Sequence, residues 1–264
     1  MTETWLRLGI FAGVFILMSG LEAVFPRRMR VLSRSGRWLT NTAMLVLATL
    51  LVRAVAIAIP LLAASAAAGL AATLNVGLFI WLDWPIWLEF ALTMILLDAA
   101  IWLQHLISHK VPLLWRIHRV HHADRDIDAS TALRFHPVEI LLSAAYKLGV
   151  ILLLGPAVWA VIAFEIVLNA SAMFNHANVA LPQSVDRVLR TVIVTPDMHR
   201  VHHSTLREEH DRNYGFCLSL WDRLFRTYRD QPSRGHTGMT IGLPPYLGEP
   251  TQRLGWSLWL PFRR

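Results

Sequence analysis

Twelve histidines stand in this 264-residue chain, and eight of them fall into three tight motifs. His105 and His109 are four residues apart, His118, His121 and His122 form H-x2-H-H, and His199, His202 and His203 repeat that spacing further on. At this histidine frequency one H-x2-H-H arises by chance roughly 0.02 times per chain, so two copies stand well above background. Offsets of three and four place the imidazoles of each motif on one side of a helix. Such an arrangement encloses a cation, and neutral imidazole suits iron, zinc, copper and nickel. Eight imidazoles exceed the four ligands of a tetrahedral zinc and the six of an octahedral ion, which points to two metal ions sharing the set. A haem needs only one or two axial histidines, and the doublet His121-His122 would have no purpose there.

The elements that must hold these residues are apolar. Apolar residues make up 55% of the chain and charged residues 16%, against about 45–50% and about 25% in an ordinary soluble domain. From Leu39 to Lys110 the only charges are Arg53, Asp83, Glu89, Asp98 and Lys110. No polar face runs through that stretch, which excludes a water-soluble bundle, a disordered chain and a collagen-like fibre. The single Cys217 excludes a disulfide scaffold and a cysteine-based zinc ribbon. The net charge is +7, and all but Lys110 and Lys147 of the 25 basic residues are arginine. These arginines flank apolar runs, as cytoplasmic charge does in a membrane protein. No motif with interleaved aromatics speaks for nucleic acid.

The pattern predicts an all-α integral membrane protein with about four transmembrane helices. Leu6 to Phe25, interrupted by Arg7 and Glu22, is an uncleaved first span. The five arginines from Arg27 to Arg37 put its end in the cytoplasm. Leu39 to Leu74 is divided by Pro60 into a long second span and an Ala-rich extension. An interfacial turn follows at Asp83-Trp84-Pro85, and Ile86 to His109 forms a third span. Pro137 to Phe174 carries only Glu139, Lys147 and Glu165, and Gly155-Pro156 splits it into two runs. They read as a helical hairpin with both ends on one face. The motif histidines must meet in one site, so a cytoplasmic helical cap holds a His-rich dimetal site. The expected divisions are 1–88 for the N-terminal membrane helices, 89–230 for the catalytic domain and 231–264 for a C-terminal tail.

The remaining histidines divide by position. His176, between Asn175 and Asn178 where the hairpin re-emerges, is expected as a ninth metal ligand, because the eight motif residues split five to three between the halves of the chain. His136 precedes Pro137 and is expected beside the site with Glu139 as its partner. His210 and His236 read as hydrogen-bonded surface residues. Asp98 shares a helix face with His105 and His109, and a carboxylate inside a span needs a partner, expected to be a ligand imidazole or an arginine of the cap. Asp197, two residues before His199, is a further supporting candidate.

The motifs resemble those of the fatty acid hydroxylase / sterol desaturase superfamily. Carrying the resemblance with them are Phe174-Asn175-His176-Ala177-Asn178, Thr195-Pro196-Asp197-Met198-His199-Arg200, Asn213-Tyr214-Gly215 and Trp221-Asp222-Arg223-Leu224-Phe225. It covers roughly Leu92 to Tyr228, and Arg226 stands where many members carry glycine. It implies an integral-membrane, non-haem di-iron enzyme that uses two Fe ions and O2 to hydroxylate or desaturate a lipid of sterol or fatty-acyl type in lipid biosynthesis. A separate electron donor of ferredoxin, rubredoxin or cytochrome b5 type is expected, because the chain carries no G-x-G-x-x-G fingerprint and no cysteine set for an iron–sulfur centre. The expected location is a bacterial inner membrane with the site facing the cytoplasm. Two rivals belong to other classes. A membrane transporter or metal sensor would need polar residues along its spans, and a zinc hydrolase would need an acidic base in an H-E-x-x-H arrangement, which is absent.

Overall fold

The charge-poor stretches become five helices long and apolar enough to cross a membrane. The computed structural model describes residues 3–59, 63–82 and 84–263. In chain order the helices are α1 (Glu3–Val24), α2 (Arg34–Ala58), α3 (Ala64–Leu74), α4 (Leu78–Leu82), α5 (Ile86–Lys110), α6 (Pro112–His122), α7 (Pro137–Leu154), α8 (Val158–His176), α9 (Gln183–Leu189) and α10 (Pro196–His202). Short helical turns complete the chain, and the described residues contain isolated antiparallel bridges but no strand. The five candidate spans are α1, α2, α5, α7 and α8. The arms of the expected hairpin are α7 and α8, so the estimate of about four spans becomes five candidate helices.

The Ala-rich run attached to the second span is instead the separate helix α3. Its Ala64, Ala67, Ala68 and Ala71 are buried, and it packs on both hairpin arms, since small side chains let helices approach closely. The break expected at Pro60 and the Asp83 side of the interfacial turn lie outside the described residues. At the hairpin tip Gly155 closes α7 in a left-handed conformation (φ +63°), and Pro156 prevents the helix from resuming. A Cβ on Gly155 would come within 2.9 Å of Gly77 Cα, so two glycines make that contact possible.

At the other end of the bundle buried charges tie the loops to the helices. Glu22, wholly buried on α1, accepts hydrogen bonds from the amides of Ala129 (2.6 Å) and Asn178 (3.0 Å). Arg37, wholly buried on α2, donates to Asp124 through Nε (2.7 Å) and Nη2 (2.8 Å) and to Asp128 through Nη1 (2.6 Å). Arg134 donates to the carbonyls of Val120 and Thr251 and to the side chains of Asn41 and Ser257. The segment expected as a tail is folded onto α2 and α6: Leu243, Trp256 and Leu260 share a core cluster with Met44, Val120 and Ala123. The arginine-rich run 27–37 therefore lies at the same end of the bundle as the histidine motifs.

Candidate metal centre

Three helix boundaries aim the histidines. Pro112, the first residue of α6, holds Val111 extended (φ −92°, ψ 115°), which breaks α6 away from α5. His105 and His109 at the end of α5 thus face His118, His121 and His122 on α6. Thr195 caps α10, its hydroxyl accepting from Met198 N (3.3 Å), with Pro196 next. The helix then ends at once, with His203 as its C-terminal cap. His176 closes α8, where the hairpin returns.

These elements bring all nine expected metal histidines together, in two adjoining groups. His105, His109, His118, His122 and His202 form one, and His121, His176, His199 and His203 the other; within each the candidate ligand atoms lie within 4.8 Å of one another. The groups interlock, since the rings of His122 and His203 stack at 4.7 Å. Phe135 stacks on His121 at 4.4 Å, and Trp115 lies 4.9 Å from His109. The eight other rings belong to residues at most 5% exposed, and the His109 side chain is also covered. Burial, then neighbouring imidazoles, pushes His121, His122 and His199 well below the usual histidine range. Burial leads for His202 and His203 too, with the same result. Their environment therefore favours neutral rings, the form that binds a metal.

Whether these rings suit a metal can be tested on their nitrogens. His105, His176 and His202 direct Nδ1 at the carbonyls of Tyr214, Ala172 and Arg212, each at 2.7 Å. His118 directs Nδ1 at Glu139 Oε1 (2.6 Å). A carbonyl or carboxylate only accepts, so Nδ1 carries a proton in each ring, and in the neutral form Nε2 is the nitrogen left to bind a metal. Yet His176 Nε2 lies 3.1 Å from Nε2 of both His121 and His199. His122 Nε2 lies 3.1 Å from His109 Nε2 and 3.2 Å from His118 Nε2. Nε2 of His105 and His202 and both nitrogens of His203 are buried without a hydrogen-bond partner among the described residues. Buried nitrogens that meet only one another, or nothing, are better satisfied by a cation among them. Two nitrogens about 2.1 Å from one ion are separated by about 3.0 Å at a right angle and about 3.4 Å at the tetrahedral angle. The observed separations fall within that range, and the all-imidazole donor set fits a divalent transition metal.

The supporting residues are distributed differently from the sequence expectation. Glu139 holds His118 rather than His136, as its distance to Nδ1 shows. His136 joins neither group; it caps α7, its Nδ1 accepting from Val138 N (3.3 Å). Among the described residues Asp98 bonds neither an imidazole nor an arginine. It accepts from the amides of Cys217 (3.2 Å) and Leu218 (3.1 Å) and from Trp221 Nε1 (2.9 Å). Seven residues, about 10 Å along the helix, separate Asp98 from His105, and the 217–221 loop lies at that depth. Asp197 pairs with Arg27 (2.9 Å), Arg200 and His236 (3.4 Å); burial would raise its carboxyl, but Arg200 and Arg27 hold it below the usual range. His236 is therefore buried, and burial brings it down to about 4. His210 stacks on Trp115 (5.3 Å) and forms a third small group with His109 and Asp211.

Two supports were given no structural role by the sequence. One is the Arg37–Asp124–Asp128 network just after His122. Burial works against the Asp124 carboxylate, but Arg37 brings it down to about 2. The alternation Asp124, Asp126, Asp128 beside a histidine motif was a visible signal of it. The other is the Asn213-Tyr214-Gly215 turn. Asn213 (φ +54°) donates to the carbonyls of Met198 and Arg229, both at 2.8 Å. Asp222 accepts from the amides of Tyr214 (2.9 Å) and Gly215 (2.8 Å), which fixes the carbonyl that orients His105. Arg226 is left-handed (φ +59°), as the glycine expected at that position would be.

A cavity of 690 Å³ begins at His105, His118 and Glu139 and runs down between the long helices past Phe135, Leu133 and Ile101. Its size is that of a small-molecule site.

Comparison with known proteins fits this arrangement. The chain is 28% identical over 182 residues to ornithine lipid hydroxylase of Rhizobium tropici, covering 66% of this chain and 54% of that protein. It is 31% identical over 137 residues to alkylglycerol monooxygenase of Homo sapiens, covering 52% of this chain and 29% of that protein. Against the Danio rerio alkylglycerol monooxygenase it is 31% identical over 157 residues, 60% of this chain and 33% of that protein. The chain thus spans about half the length of the first relative and about a third or less of the other two. No solved structure matches it. Residues 90–227, which carry every histidine of both groups, match the fatty acid hydroxylase family, and the chain belongs to that family.

Proposed function

We propose that this chain is a membrane-embedded di-iron oxygenase that hydroxylates a lipid. The observation that carries the reading is the pair of interlocked, buried imidazole groups opening onto a largely apolar cavity. The five-histidine group would hold one iron and the four-histidine group the other, since neutral imidazole suits iron. When bound, the two irons supply the activation of O2 that attack on an unactivated C–H bond requires. The protein's own part is positional. Glu139 and the carbonyls of Tyr214, Ala172 and Arg212 fix four rings in one tautomer. Phe135 and Trp115 cover the imidazoles, and the cavity wall guides the substrate chain to His105 and His118.

The substrate class follows the relatives' names, an ornithine lipid hydroxylase and alkylglycerol monooxygenases, both of which act on lipids. We assign the histidine end to the cytoplasmic face, because the Arg27–Arg37 run lies at that end, and electrons to a separate protein donor of ferredoxin, rubredoxin or cytochrome b5 type. Metal analysis and Mössbauer spectroscopy of the purified full chain provide the test. Two irons per chain, coupled in one centre, are expected. One zinc per chain, or substoichiometric exchangeable metal, would refute the assignment.

A further inference from the structure

The end of the cavity away from the histidines is charged. Its wall carries Arg7 of α1, Arg53 of α2, Lys147 of α7 and Glu165 of α8, ionic residues that the sequence places inside otherwise apolar runs. Arg7 Nη1 donates to Glu165 Oε2 (2.6 Å) and Lys147 Nζ to Glu165 Oε1 (2.5 Å). Ionic side chains within spanning helices are costly and mark functional sites more often than scaffolding.

A lock between helices would match its donors to its acceptors, and this cluster does not. Each oxygen of Glu165 already has a cationic partner. Lys147 uses one of its three N–H groups in that pair, and Arg7 Nε is buried without a hydrogen-bond partner among the described residues. The second acceptor of Arg7 is Glu3 (2.9 Å), whose side chain is 45% exposed. Arg53 of α2 lines the same end of the cavity with no ion-pair partner among the described residues, so cations outnumber carboxylates three to two along that wall. Glu3 and Thr4, in the first turn of α1, line the same end, so the charged end continues toward the end of the bundle opposite the histidines.

The distance between the two ends sets a length. Glu139, which holds His118, and Lys147 are eight residues apart on α7, and Ala172, which holds His176, and Glu165 are seven apart on α8. Those separations are about 12 Å and about 10 Å along the helices. With C–C bonds of about 1.5 Å, each advancing an extended chain by about 1.3 Å, they correspond to about eight to ten bonds. Between the ends the wall is mostly apolar, with Phe11, Leu45, Ile101 and Leu168 interrupted by Gln104, Ser143 and Asn169.

We infer that Arg7 and Lys147, held by Glu165, bind the anionic head of a single-chain amphiphile whose hydrocarbon chain extends toward His105 and His118. The substrate then lies with its head in the half of the membrane remote from the histidines and offers a carbon well inside its chain to the metal centre. This assignment rests on the cavity being the lipid site of the proposed oxygenase. It is tested by binding alone, so loss of iron or of turnover cannot imitate its failure.

The full chain in phosphatidylcholine nanodiscs is titrated with hexadecanoate, hexadecyl phosphate, hexadecanol and hexadecylamine, with empty nanodiscs subtracted. Both anions should bind about tenfold more tightly than the alcohol, as a charge-assisted hydrogen bond implies, and the amine more weakly still. Inorganic phosphate should not displace hexadecanoate; displacement would mean a free-anion site and overturn the lipid assignment. Lys147→Met should abolish most of the preference for anions. Glu165→Gln releases both cations and should tighten hexadecanoate binding several-fold, whereas a purely structural cluster would make that variant bind all four probes worse. Equal binding of anion, alcohol and amine by the unaltered protein would overturn the proposal even if every variant failed to fold.

Discussion

Replacing Asp124 by Asn perturbs the junction between α2 and the loop that follows α6. Asp124 is 1% exposed and accepts from Arg37 Nε and Nη2, from Asn41 Nδ2 (3.3 Å) and from Thr131 Oγ1 (3.0 Å). Its carboxyl is brought from an ordinary value of 3.8 to about 2. That difference corresponds to about 2–3 kcal/mol of folding free energy at neutral pH. An independent comparison, the loss of one partner from a buried ion pair, gives about 3–5 kcal/mol. Asn keeps one acceptor but turns an NH2 group toward Arg37 and Asn41, so the expected loss is about 2–4 kcal/mol. For a chain of this size that lowers Tm by about 5–15 °C. Because the folded-state pKa is depressed, the stabilisation is complete above the unfolded value of about 3.9 and disappears as pH falls through about 2. The deficit of Asp124→Asn relative to the unaltered protein should therefore shrink by about 1 kcal/mol between pH 5 and pH 3. Thermal unfolding in mild detergent, followed by tryptophan fluorescence at pH 7, 5 and 3, measures both effects. An unchanged Tm, or a deficit independent of pH, would show that the ionised Asp124 does not secure this junction.

Three further substitutions probe the metal centre. His176→Ala should lose bound iron as severely as His199→Ala, whereas His136→Ala, which removes only a helix cap worth about 1 kcal/mol, should keep most of it; iron analysis of the purified variants decides. Glu139→Ala removes the partner of His118 Nδ1 and should weaken iron binding by about 10–100-fold, with Glu139→Gln falling between it and the unaltered protein in chelator competition. In Gly215→Ala the new Cβ would lie 2.9 Å from Asp222 Oδ2, Leu218 O and Val194 Cγ2, costing about 1–3 kcal/mol and displacing the carbonyl that orients His105. Gly248→Ala, which meets nothing within 4 Å, is its control for Tm and iron content.

The histidines were legible because their signal is local. Offsets of three and four act within one helix, so His118 and His122 are placed together on α6 whatever surrounds it. The hairpin was legible for the same reason, since Gly155-Pro156 ends α7 through its own backbone preferences. His176 was reachable by a weaker argument, from parity and the return point of that hairpin. The sharing of rings was beyond such reasoning. His121 sits with His176, His199 and His203, while its neighbour His122 sits with His105, His109, His118 and His202. Adjacent residues point about 100° apart around a helix, and only the approach of α8 and α10 from either side decides which ring joins which group.

Charges were read less well, and for one cause. A carboxylate or guanidinium in a sequence announces that it needs a partner, but the partner is chosen by tertiary contact. Asp98 was expected at a ligand imidazole, because both lie on one face of α5, or at an arginine of the cap. It instead holds a loop that returns from about 120 residues away, since a side chain cannot span about two helical turns. The arginines from Arg27 to Arg37 were read as a signal of sidedness. In the folded chain Arg27 holds Asp197 at the start of α10, Arg28 holds the carbonyls of His236 and Met239, and Arg37 holds Asp124. A basic run that follows the first span thus also ties the two N-terminal helices to the segments bearing two of the three histidine motifs. Both roles put that run at the histidine end of the bundle, so an argument from the count of charges and one from their contacts arrive at the same end by different physics.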